Sequence, residues 1–407
     1  MLKNSMQGNK RLEASPLGLH LEALARSFKE DGYPDRTVRV KLRLLTDFGW
    51  WFGQTGLAIT GIDERQVDAF FKHRKRVQRG DRKTLGQFLE HLRKRAVIPD
   101  REPVRDLSPM AGILSQHEKH LRSERGLVTH TILQYQSFVR RFLVERFHEG
   151  PFLWRELKPS DISNFVLRHG PTMAAQTAQL MTTAFRSFFR YLFQKGDLQA
   201  DLAASVPTVA HWRLSTVPKY LTPKEVERVL RACNRRTATG RRDYAILLLL
   251  ARLGLRSGEV VALQLDDINW RTGEIVVRGK GLVHDRMPLP SDVGKALASY
   301  LHRDRPPCKT RQVFVRMWAP HRGLDPHSPL TAIVRCALDR ADLHPPCKGA
   351  RLLRHSLATS MLRSGATMGE VGEVLRHRSP NTTEIYAKVD FDSLRSVAQP
   401  WPMGGGQ

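Results

Sequence analysis

The chain has 407 residues, of which 41% are hydrophobic, so it is long enough to form two or three domains with ordinary cores. It carries 66 Lys and Arg against 40 Asp and Glu, and this net charge of +26 indicates a polyanionic partner. A membrane span is excluded, because the longest apolar run, residues 244–255, contains Arg252 and is too short to cross a bilayer. The N-terminal segment lacks the apolar stretch of a signal peptide. We therefore expect a cytoplasmic, nucleoid-associated protein.

The cysteines argue against both a disulfide framework and a zinc site. All four are scattered, without a Cys-x-x-Cys pair or a paired histidine spacing. They are Cys233, Cys308, Cys336 and Cys347. We expect reduced thiols, and the sequence gives no reason to expect a metal or a cofactor.

Two proline-rich stretches, residues 97–110 and 204–223, divide the chain into three blocks. We expect four parts: an N-terminal helical domain, a second helical domain, a larger third domain and a C-terminal tail. Their expected bounds are residues 1–107, 108–207, 217–395 and 396–407.

The first two blocks share a pattern of apolar residues at helical spacing. The matching pairs are Thr37/Thr131, Leu44/Phe138, Phe48/Phe142, Val67/Ile162, Phe70/Phe165, Leu85/Phe185, Phe88/Phe188, Leu89/Phe189 and Leu92/Leu192. A small all-helical domain that occurs twice explains this pattern, but two amphipathic bundles can also resemble each other by chance. Basic residues crowd residues 71–83 and 139–147. Such runs are often solvated faces, yet the net charge favours phosphate contacts for some of them.

The third block begins with a helix signal at Thr222-Pro223-Lys224-Glu225, where threonine and glutamate form a capping box. The helix "RDYAILLLLARLG" is apolar nearly all round and must lie in the core. Residues 273–290 predict a β-hairpin with its turn near Lys280. The remainder reads as helical, with a second capping box at Thr367 and Glu370. The fold class expected is mainly α with a small antiparallel β-sheet in the third block (α+β).

Several polar residues of this block have no evident place in a core. Arg256 follows the apolar helix, and Arg351 and Arg354 lie three apart on a helix, where two like charges suggest a nearby anion. Lys280 and His377 have simpler explanations, as an exposed turn lysine and as a histidine that suits the C-terminal end of a helix dipole. A single tyrosine such as Tyr386, in "HRSPNTTEIYA", is usually a core aromatic.

Taken together, these residues resemble a known constellation. "ARLGLRSGEV", "RGKG", "RLLRHSLATSMLRSGATMGEVGEVLRHRS" and "TTEIYAKV" occur in an order and spacing that resemble the catalytic domain of tyrosine recombinases, the phage integrase family. The resemblance covers roughly residues 218–395, and residues 110–205 look like the family's helical core-binding domain. It implies helical N-terminal DNA-binding domains followed by an integrase-like catalytic domain.

The resemblance also implies roles for individual residues. The family's two catalytic arginines correspond to Arg256 and Arg354, its hairpin lysine to Lys280 and its second histidine to His377. Tyr386 corresponds to the nucleophile, and a supporting acidic residue to Glu259. This set suits phosphodiester chemistry, because guanidinium groups neutralise the phosphate oxygens while the phenol attacks phosphorus.

Two positions depart from the family's pattern. Arg351 stands where the family has a histidine that could exchange a proton with the tyrosine, and an arginine can act there only through its charge. Arg376 stands where a glycine commonly precedes the family's histidine, and we expect its side chain to contact the DNA backbone or to pack outward.

The resemblance implies a site-specific recombinase that cuts and rejoins double-stranded DNA through a 3′-phosphotyrosine, as a homo-tetramer on synapsed DNA and with partner recombinases. The extra N-terminal block suggests integration, excision or transposition of a mobile element. The main alternative is a catalytically silent relative that acts as a DNA-binding accessory or regulatory protein, which the Arg351 departure would favour. A nuclease or relaxing topoisomerase with the same chemistry would differ mainly in site selectivity.

Overall fold

The computed structural model describes residues 17–100, 106, 108–148, 151–210, 217–279, 284–325 and 329–389. The described residues form α-helices and one small antiparallel sheet, which confirms the predicted fold class. The chain divides into two compact units, one comprising residues 1–101 and 217–407 and the other residues 102–216. The expected tail, residues 396–407, lies outside the described residues.

The first unit begins with a bundle of four helices. These are α1 (Gly18–Glu30), α2 (Asp35–Gly53), α3 (Glu64–His73) and α4 (Asp81–Lys94). Each helix turns an apolar face inward, and the bundle has a core of its own that centres on Phe48 and Phe88, both fully buried. Asp63 caps α3 by accepting hydrogen bonds from two backbone amides of its first turn.

The second unit is also a helical bundle with a separate core. Its helices are α5 (Pro109–Ser123), α6 (Thr129–Phe147), α7 (Pro159–His169) and α8 (Ala175–Lys195). Phe142, Phe185 and Phe189 lie at the centre of this core with no exposed fraction above 1%. Gly196 ends α8 in the left-handed conformation, φ +86°, that glycine adopts without steric cost.

The rest of the first unit is the larger α+β domain. Its helices are α9 (Pro223–Arg231), α10 (Ala238–Arg252), α11 (Ser257–Ala262), α12 (Ser291–Arg303), α13 (Pro329–Arg340), α14 (Ala350–Arg363) and α15 (Met368–Val374). Helix α10 is the predicted central helix, since every residue from 245 to 251 is buried. Both predicted capping boxes are present: Glu225 accepts from the Thr222 amide at 2.7 Å, and Glu370 from the Thr367 amide at 2.7 Å.

The sheet is small and follows the predicted hairpin. Its strands are β1 (Ile268–Asn269), β2 (Glu274–Arg278) and β3 (His284–Pro288), in the order β1-β2-β3 and all antiparallel. The register pairs Ile268 with Ile275, and Arg278 with His284 at the turn end of the hairpin. The hairpin tip, including Lys280, lies outside the described residues.

Within the first unit, the turn after α1 touches the larger domain. The carbonyl oxygen of Asp31 accepts a hydrogen bond from the amide of His321 at 2.8 Å, and Glu30 pairs with Lys309 at 2.7 Å. Gly32 has a φ of +82°, and a Cβ there would lie 1.9 Å from the ring of His321. Glycine is therefore required at this contact.

None of the helices in the described part of the chain is long and apolar enough to cross a membrane.

Candidate active site

The turn between α10 and α11 places the first arginine of the site. Gly254 reverses the chain with a φ of +56°, and Arg256 then occupies the N-cap position of α11. Glu259, in the first turn of α11, accepts a hydrogen bond from the Arg256 amide at 2.8 Å. The backbone of Arg256 is thus fixed by a helix cap on one side and by the buried helix α10 on the other.

Glu259 holds two arginines at once. Its carboxylate accepts from Nη1 of Arg256 at 2.7 Å and from Nη2 of Arg376 at 2.9 Å. Burial alone would raise the pKa of Glu259, but the hydrogen bonds and charges of these arginines outweigh it and lower the pKa below its usual value. Since 46% of the Arg256 side chain remains exposed, its guanidinium is oriented and still accessible to an anion.

Arg376 faces inward, so the prediction that it packs outward is wrong, and the contact with DNA stays a prediction. Its side chain is only 8% exposed, because it forms the buried ion pair with Glu259. Its backbone has a φ of +55°, the left-handed region that glycine adopts most easily. An arginine therefore adopts a backbone conformation that favours glycine, and its ion pair with Glu259 helps to hold it there.

Arg354, on α14, is the buried arginine of the cluster. Its two terminal nitrogens donate to the carbonyl oxygens of Gly254 and Leu375, so it joins the turn after α10 to the end of α15. Burial, and then the positive charges of Arg256 and Arg376, lower the pKa of Arg354 to about 10. A Cβ at Gly254 would lie 2.7 Å from Leu375, so the close packing around Arg354 also depends on that glycine.

Tyr386 is buried, with 1% of its surface exposed, and its hydroxyl group lies against a histidine. Nδ1 of His355 is 2.8 Å from the Tyr386 oxygen, and the two rings meet edge to face at 5.4 Å and 64°. Burial raises the pKa of Tyr386 to about 12, against the opposing charges of Arg354, Arg351 and Arg256. The phenol is thus protonated and needs a proton acceptor to become a nucleophile.

The sequence analysis did not single out His355. Burial, and then the charges of Arg351 and Arg354, lower the pKa of His355 to about 4, so its imidazole is neutral near neutral pH. The signal that could have found it is its spacing. On α14, position 355 lies one turn after Arg351, where the family has a histidine, and residues four apart share a helix face.

His377 lies on the other side of the phenol. Its ring is parallel to that of Tyr386, with centroids 6.4 Å apart, and its Nδ1 is 2.7 Å from the hydroxyl oxygen of Thr383. Burial, and then the charges of Arg354, Arg256 and Arg376, lower the pKa of His377 to about 4. The segment between the two rings consists of 3₁₀ turns, Pro380–Thr382 and Glu384–Val389, so Tyr386 does not lie on the expected α-helix.

The structure thus brings Arg256, Glu259, Arg354, His377 and Tyr386 into one cluster. Arg351 is exposed on the first turn of α14, and its charge acts on both His355 and Tyr386. Lys280 lies outside the described residues. A protonated phenol beside a neutral imidazole and several guanidinium groups is an arrangement that can activate an oxygen nucleophile against a phosphate.

Comparison with protein families gives two matches. Residues 219–393 match the phage integrase family, and residues 114–196 match the phage integrase N-terminal SAM-like domain. The protein y4rA of Sinorhizobium fredii strain NGR234, named as an integrase/recombinase, is 42% identical over 394 residues, which cover 95% of each chain. Tyrosine recombinase XerD of Listeria monocytogenes strain F2365 is 30% identical over 282 residues, which cover 67% of this chain and 93% of its own.

Solved structures share the fold. XerH site-specific recombinase, bound to a palindromic difH substrate after cleavage, aligns with a TM-score of 0.56 and 21% identity, over 70% of this chain and 83% of its own. A lambda integrase dimer bound to a COC′ core site aligns with a TM-score of 0.53 and 16% identity, over 72% and 98%. The Tn1549 transposon integrase, in complex with circular intermediate DNA, aligns with a TM-score of 0.50 and 17% identity, over 71% and 99%.

Proposed function

The chain belongs to the phage integrase family of tyrosine recombinases, which are DNA strand-exchanging enzymes. We propose that it cuts and rejoins duplex DNA at specific sites through a covalent 3′-phosphotyrosine at Tyr386. The proposal rests on one observation: the Tyr386 hydroxyl lies 2.8 Å from a neutral imidazole inside a cluster of arginines. The biological process would be integration, excision or transposition of a mobile element. The extra N-terminal bundle and the likeness to a transposon integrase support that part.

In this mechanism Arg256 and Arg354 bind the two non-bridging oxygens of the scissile phosphate. Negative charge grows on these oxygens as the phenol attacks, and fixed guanidinium groups stabilise it without reorganisation. Glu259 orients Arg256 through its hydrogen bond, and His377 donates to a phosphate oxygen from the opposite side of the phenol. Arg354 already donates to two carbonyl groups, so it contributes its charge and the N–H donors that remain.

His355 accepts the proton of Tyr386. With Nδ1 unprotonated, the neutral ring accepts a hydrogen bond from the phenol, and the proton moves to the ring as the oxygen–phosphorus bond forms. Burial lowers the pKa of His355 most, and the charges of Arg351 and Arg354 lower it further; a bound phosphate offsets those charges, so the ring becomes a stronger base when DNA is present. Arg351 takes no proton and stabilises the developing phenolate by its charge.

The leaving deoxyribose oxygen needs a proton, and we assign that donation to Lys280 from the family resemblance. The bond between Tyr386 and the DNA 3′-phosphate conserves the energy of the broken strand. Attack by a second 5′-hydroxyl then restores the backbone and releases the tyrosine, so no nucleotide cofactor is consumed. Double-stranded DNA is the partner, and synapsis of two duplexes calls for a homo-tetramer, to which partner recombinases can contribute.

The alternative is a catalytically silent relative that only binds DNA. The exposed Arg351, in the position of the family's histidine, is the observation that favours it. A covalent adduct is the property that separates the two functions, because a binding protein forms none.

The test is to capture that adduct. The chain is expressed in cells that carry its native DNA neighbourhood, denatured, purified, and any DNA still attached is sequenced. We expect DNA ends at one or a few sequences for the wild type, and none for Tyr386→Phe, which keeps the ring but lacks the nucleophilic oxygen.

The matched control is Tyr220→Phe. Tyr220 packs against the same apolar cluster as Tyr386, and its hydroxyl oxygen accepts a hydrogen bond from the exposed Arg363 at 2.6 Å. This variant removes a neighbouring hydroxyl without touching the proposed chemistry, so its adducts should match those of the wild type. An adduct that persists in Tyr386→Phe would identify another nucleophile, and DNA binding without any wild-type adduct would favour the silent relative.

A further inference from the structure

The two helical bundles have the same order of helices with closely similar spacing. Helices α2 and α6 both contain 19 residues and are separated by 94 positions along the chain. Helices α3 and α7 contain 10 and 11 residues and begin 95 positions apart. The similarity seen in the apolar pattern is therefore matched by the arrangement of the helices.

The same positions are buried in both bundles. The equivalent buried pairs are Leu21/Leu114, Phe28/Leu121, Val38/Ile132, Leu45/Val139, Phe48/Phe142, Val67/Ile162, Phe70/Phe165, Phe71/Val166, Leu85/Phe185, Phe88/Phe188, Leu89/Phe189 and Leu92/Leu192. Ring geometry is also preserved. Phe48 and Phe70 meet at 5.3 Å and 85°, and their equivalents Phe142 and Phe165 at 5.4 Å and 84°.

Two unrelated amphipathic bundles would share helical spacing, but they would not share this register and this ring contact. The first bundle is thus a diverged second copy of the fold that the SAM-like family match assigns only to residues 114–196. Its own surface, however, differs from that of the second copy.

The difference is concentrated in the connection between α3 and α4. Residues 17–98 carry seventeen Lys and Arg and ten Asp and Glu, and residues 72–83 alone carry seven Lys and Arg and one acidic residue, Asp81. Between the helix ends themselves, residues 74–80 carry four Lys and Arg, whereas the equivalent residues 170–174 of the second copy carry none. The excess charge of the first bundle therefore lies almost entirely on this one connection, which we call the basic connection (residues 72–83).

The basic connection is held in place by part of its own charge. Arg74 pairs with Asp47 at 3.3 Å and lies over the ring of Phe70, while Arg82 pairs with Asp68 at 2.6 Å and lies over the ring of Phe71. The buried Asp81 accepts a hydrogen bond from the Gln78 amide at 2.9 Å, which fixes the last turn before α4. These contacts give the connection a defined shape.

The remaining cations are presented outward. Lys75, Arg76 and Arg79 are exposed and form no ion pair with any residue in the described part of the chain. Three unpaired cations within five residues, on a connection held in place by these contacts, suit an extended polyanion such as a nucleic-acid backbone. The nearest acidic residue in the sequence, Asp81, is buried and accepts its hydrogen bond from the Gln78 amide.

We propose that the basic connection binds the phosphate backbone of duplex DNA. The first bundle is then a second DNA-binding unit, in addition to the domain matched at residues 114–196. The proposal rests on the proposed DNA recombinase function and adds a contact that the family matches do not assign. Backbone contacts carry no sequence information, so this unit adds affinity rather than site choice.

The test is the salt dependence of DNA binding by the full chain. All proteins carry Tyr386→Phe, so that no covalent adduct contributes, and the probe is a long mixed-sequence duplex. Each neutralised phosphate adds about 0.9 to the slope of log affinity against log salt concentration, so Arg76→Ala/Arg79→Ala should lower that slope by about two units.

The matched control is Lys94→Ala/Arg95→Ala. It removes the same charge from exposed positions at the other end of α4, about 16 Å along the helix from Lys83, the last residue of the basic connection, at 1.5 Å rise per residue. Its slope should change by less than that of the first pair, and unchanged thermal unfolding would show that both variants are folded. Equal slopes for the parent protein (Tyr386→Phe alone) and for Arg76→Ala/Arg79→Ala, or equal losses in both pairs, would overturn the proposal. If the parent protein did not bind DNA, the recombinase function would be overturned as well.

Discussion

At the scale of single residues, the most informative change in this chain is the exchange of roles along one face of α14. The family's histidine position holds Arg351, and a histidine, His355, occurs four residues later on the same face. Arg351 therefore supplies charge at the exposed end of the site, while His355 reaches the phenol from one turn further along the helix, at 2.8 Å. In the proposed mechanism, proton acceptance and attraction of the phosphate are thus assigned to two different residues.

This division predicts the effect of removing His355. In His355→Ala the phenol, whose pKa is about 12, loses its proton acceptor, so formation of the covalent adduct should slow by about 10²–10⁴-fold while DNA affinity stays unchanged. The measurement is single-turnover cleavage of the captured DNA site. Added imidazole should restore part of the rate, which a purely structural loss would not allow.

The pH dependence provides an independent readout. The proposed base is the neutral form of His355, and bound DNA raises its pKa above the DNA-free value of about 4, so the wild-type rate should change little from neutral to mildly alkaline pH, where the imidazole is neutral. His355→Ala must lose the phenol proton to solvent, and its rate should rise about tenfold per pH unit over the same interval. Parallel pH profiles for the two proteins would contradict the assignment of His355 as the proton acceptor.

The residues of the site also show where sequence reasoning succeeds and where it fails. Arg256, Arg354, His377 and Tyr386 could be selected because chemistry requires their types and the family resemblance gives their spacing. Arg376 could not be placed, because its direction is decided by a positive φ and by a partner, Glu259, 117 residues away in the chain. The residues around Arg376 in the sequence indicate neither its backbone conformation nor its distant partner.

At the scale of elements, the predictions that depend on local chemistry hold. Residues close together in the sequence are enough to predict several elements. These are the helix caps at Thr222 and Thr367, the apolar helix α10 and the two strands of the hairpin. The segment that carries Tyr386 departs from expectation, since it forms 3₁₀ turns instead of an α-helix. It is short, contains Pro380, and is positioned by tertiary contacts to His355 and His377, which override a weak helical preference.

One helix places a buried histidine with unpaired ring nitrogens in the core of the second unit. His117, on α5, is fully buried between Phe188 and Tyr191, at ring distances of 5.0 and 5.3 Å. Neither of its nitrogens has a hydrogen-bond partner among the described residues. The equivalent position of the first bundle, 93 residues earlier, is the buried Leu24.

We therefore expect His117→Leu to stabilise the second unit by about 1–3 kcal/mol, because it removes two unpaired polar atoms and keeps a buried side chain. Burial, and then the charge of His120, lower the pKa of His117 to about 4. The unfolded chain then binds more protons below its own histidine pKa of about 6.5, so the folded state loses stability as pH falls from 6.5 towards 4.

Denaturant unfolding at several pH values measures this effect. The difference between His117→Leu and the wild type should grow as the solution is acidified through that interval, because leucine has no proton to gain. A difference that is independent of pH would mean that His117 is not buried in its neutral form.

At the scale of the whole molecule, the chain is an assembly of separate cores. The buried cluster of the second unit contains only residues of that unit, while the first bundle and the larger domain each have their own cluster within the first unit. The sequence indicated three blocks from its proline-rich seams. It could not indicate that the first bundle contacts the third block, because that contact joins Asp31 to His321 across 290 positions without a local signal.

Separate cores predict that unfolding is not a single transition. Residues 102–216 share no buried cluster with the remainder in the described part of the chain, so calorimetry should resolve at least two transitions. His117→Leu should raise the midpoint of one of them, by about 4–8 °C per kcal/mol for a domain of this size, and leave the other unchanged. The transition that does not move should be the one that His355→Ala shifts, since His355 belongs to the first unit. If both substitutions moved one common transition, the units would unfold together, and the two-unit description would fail as an account of stability.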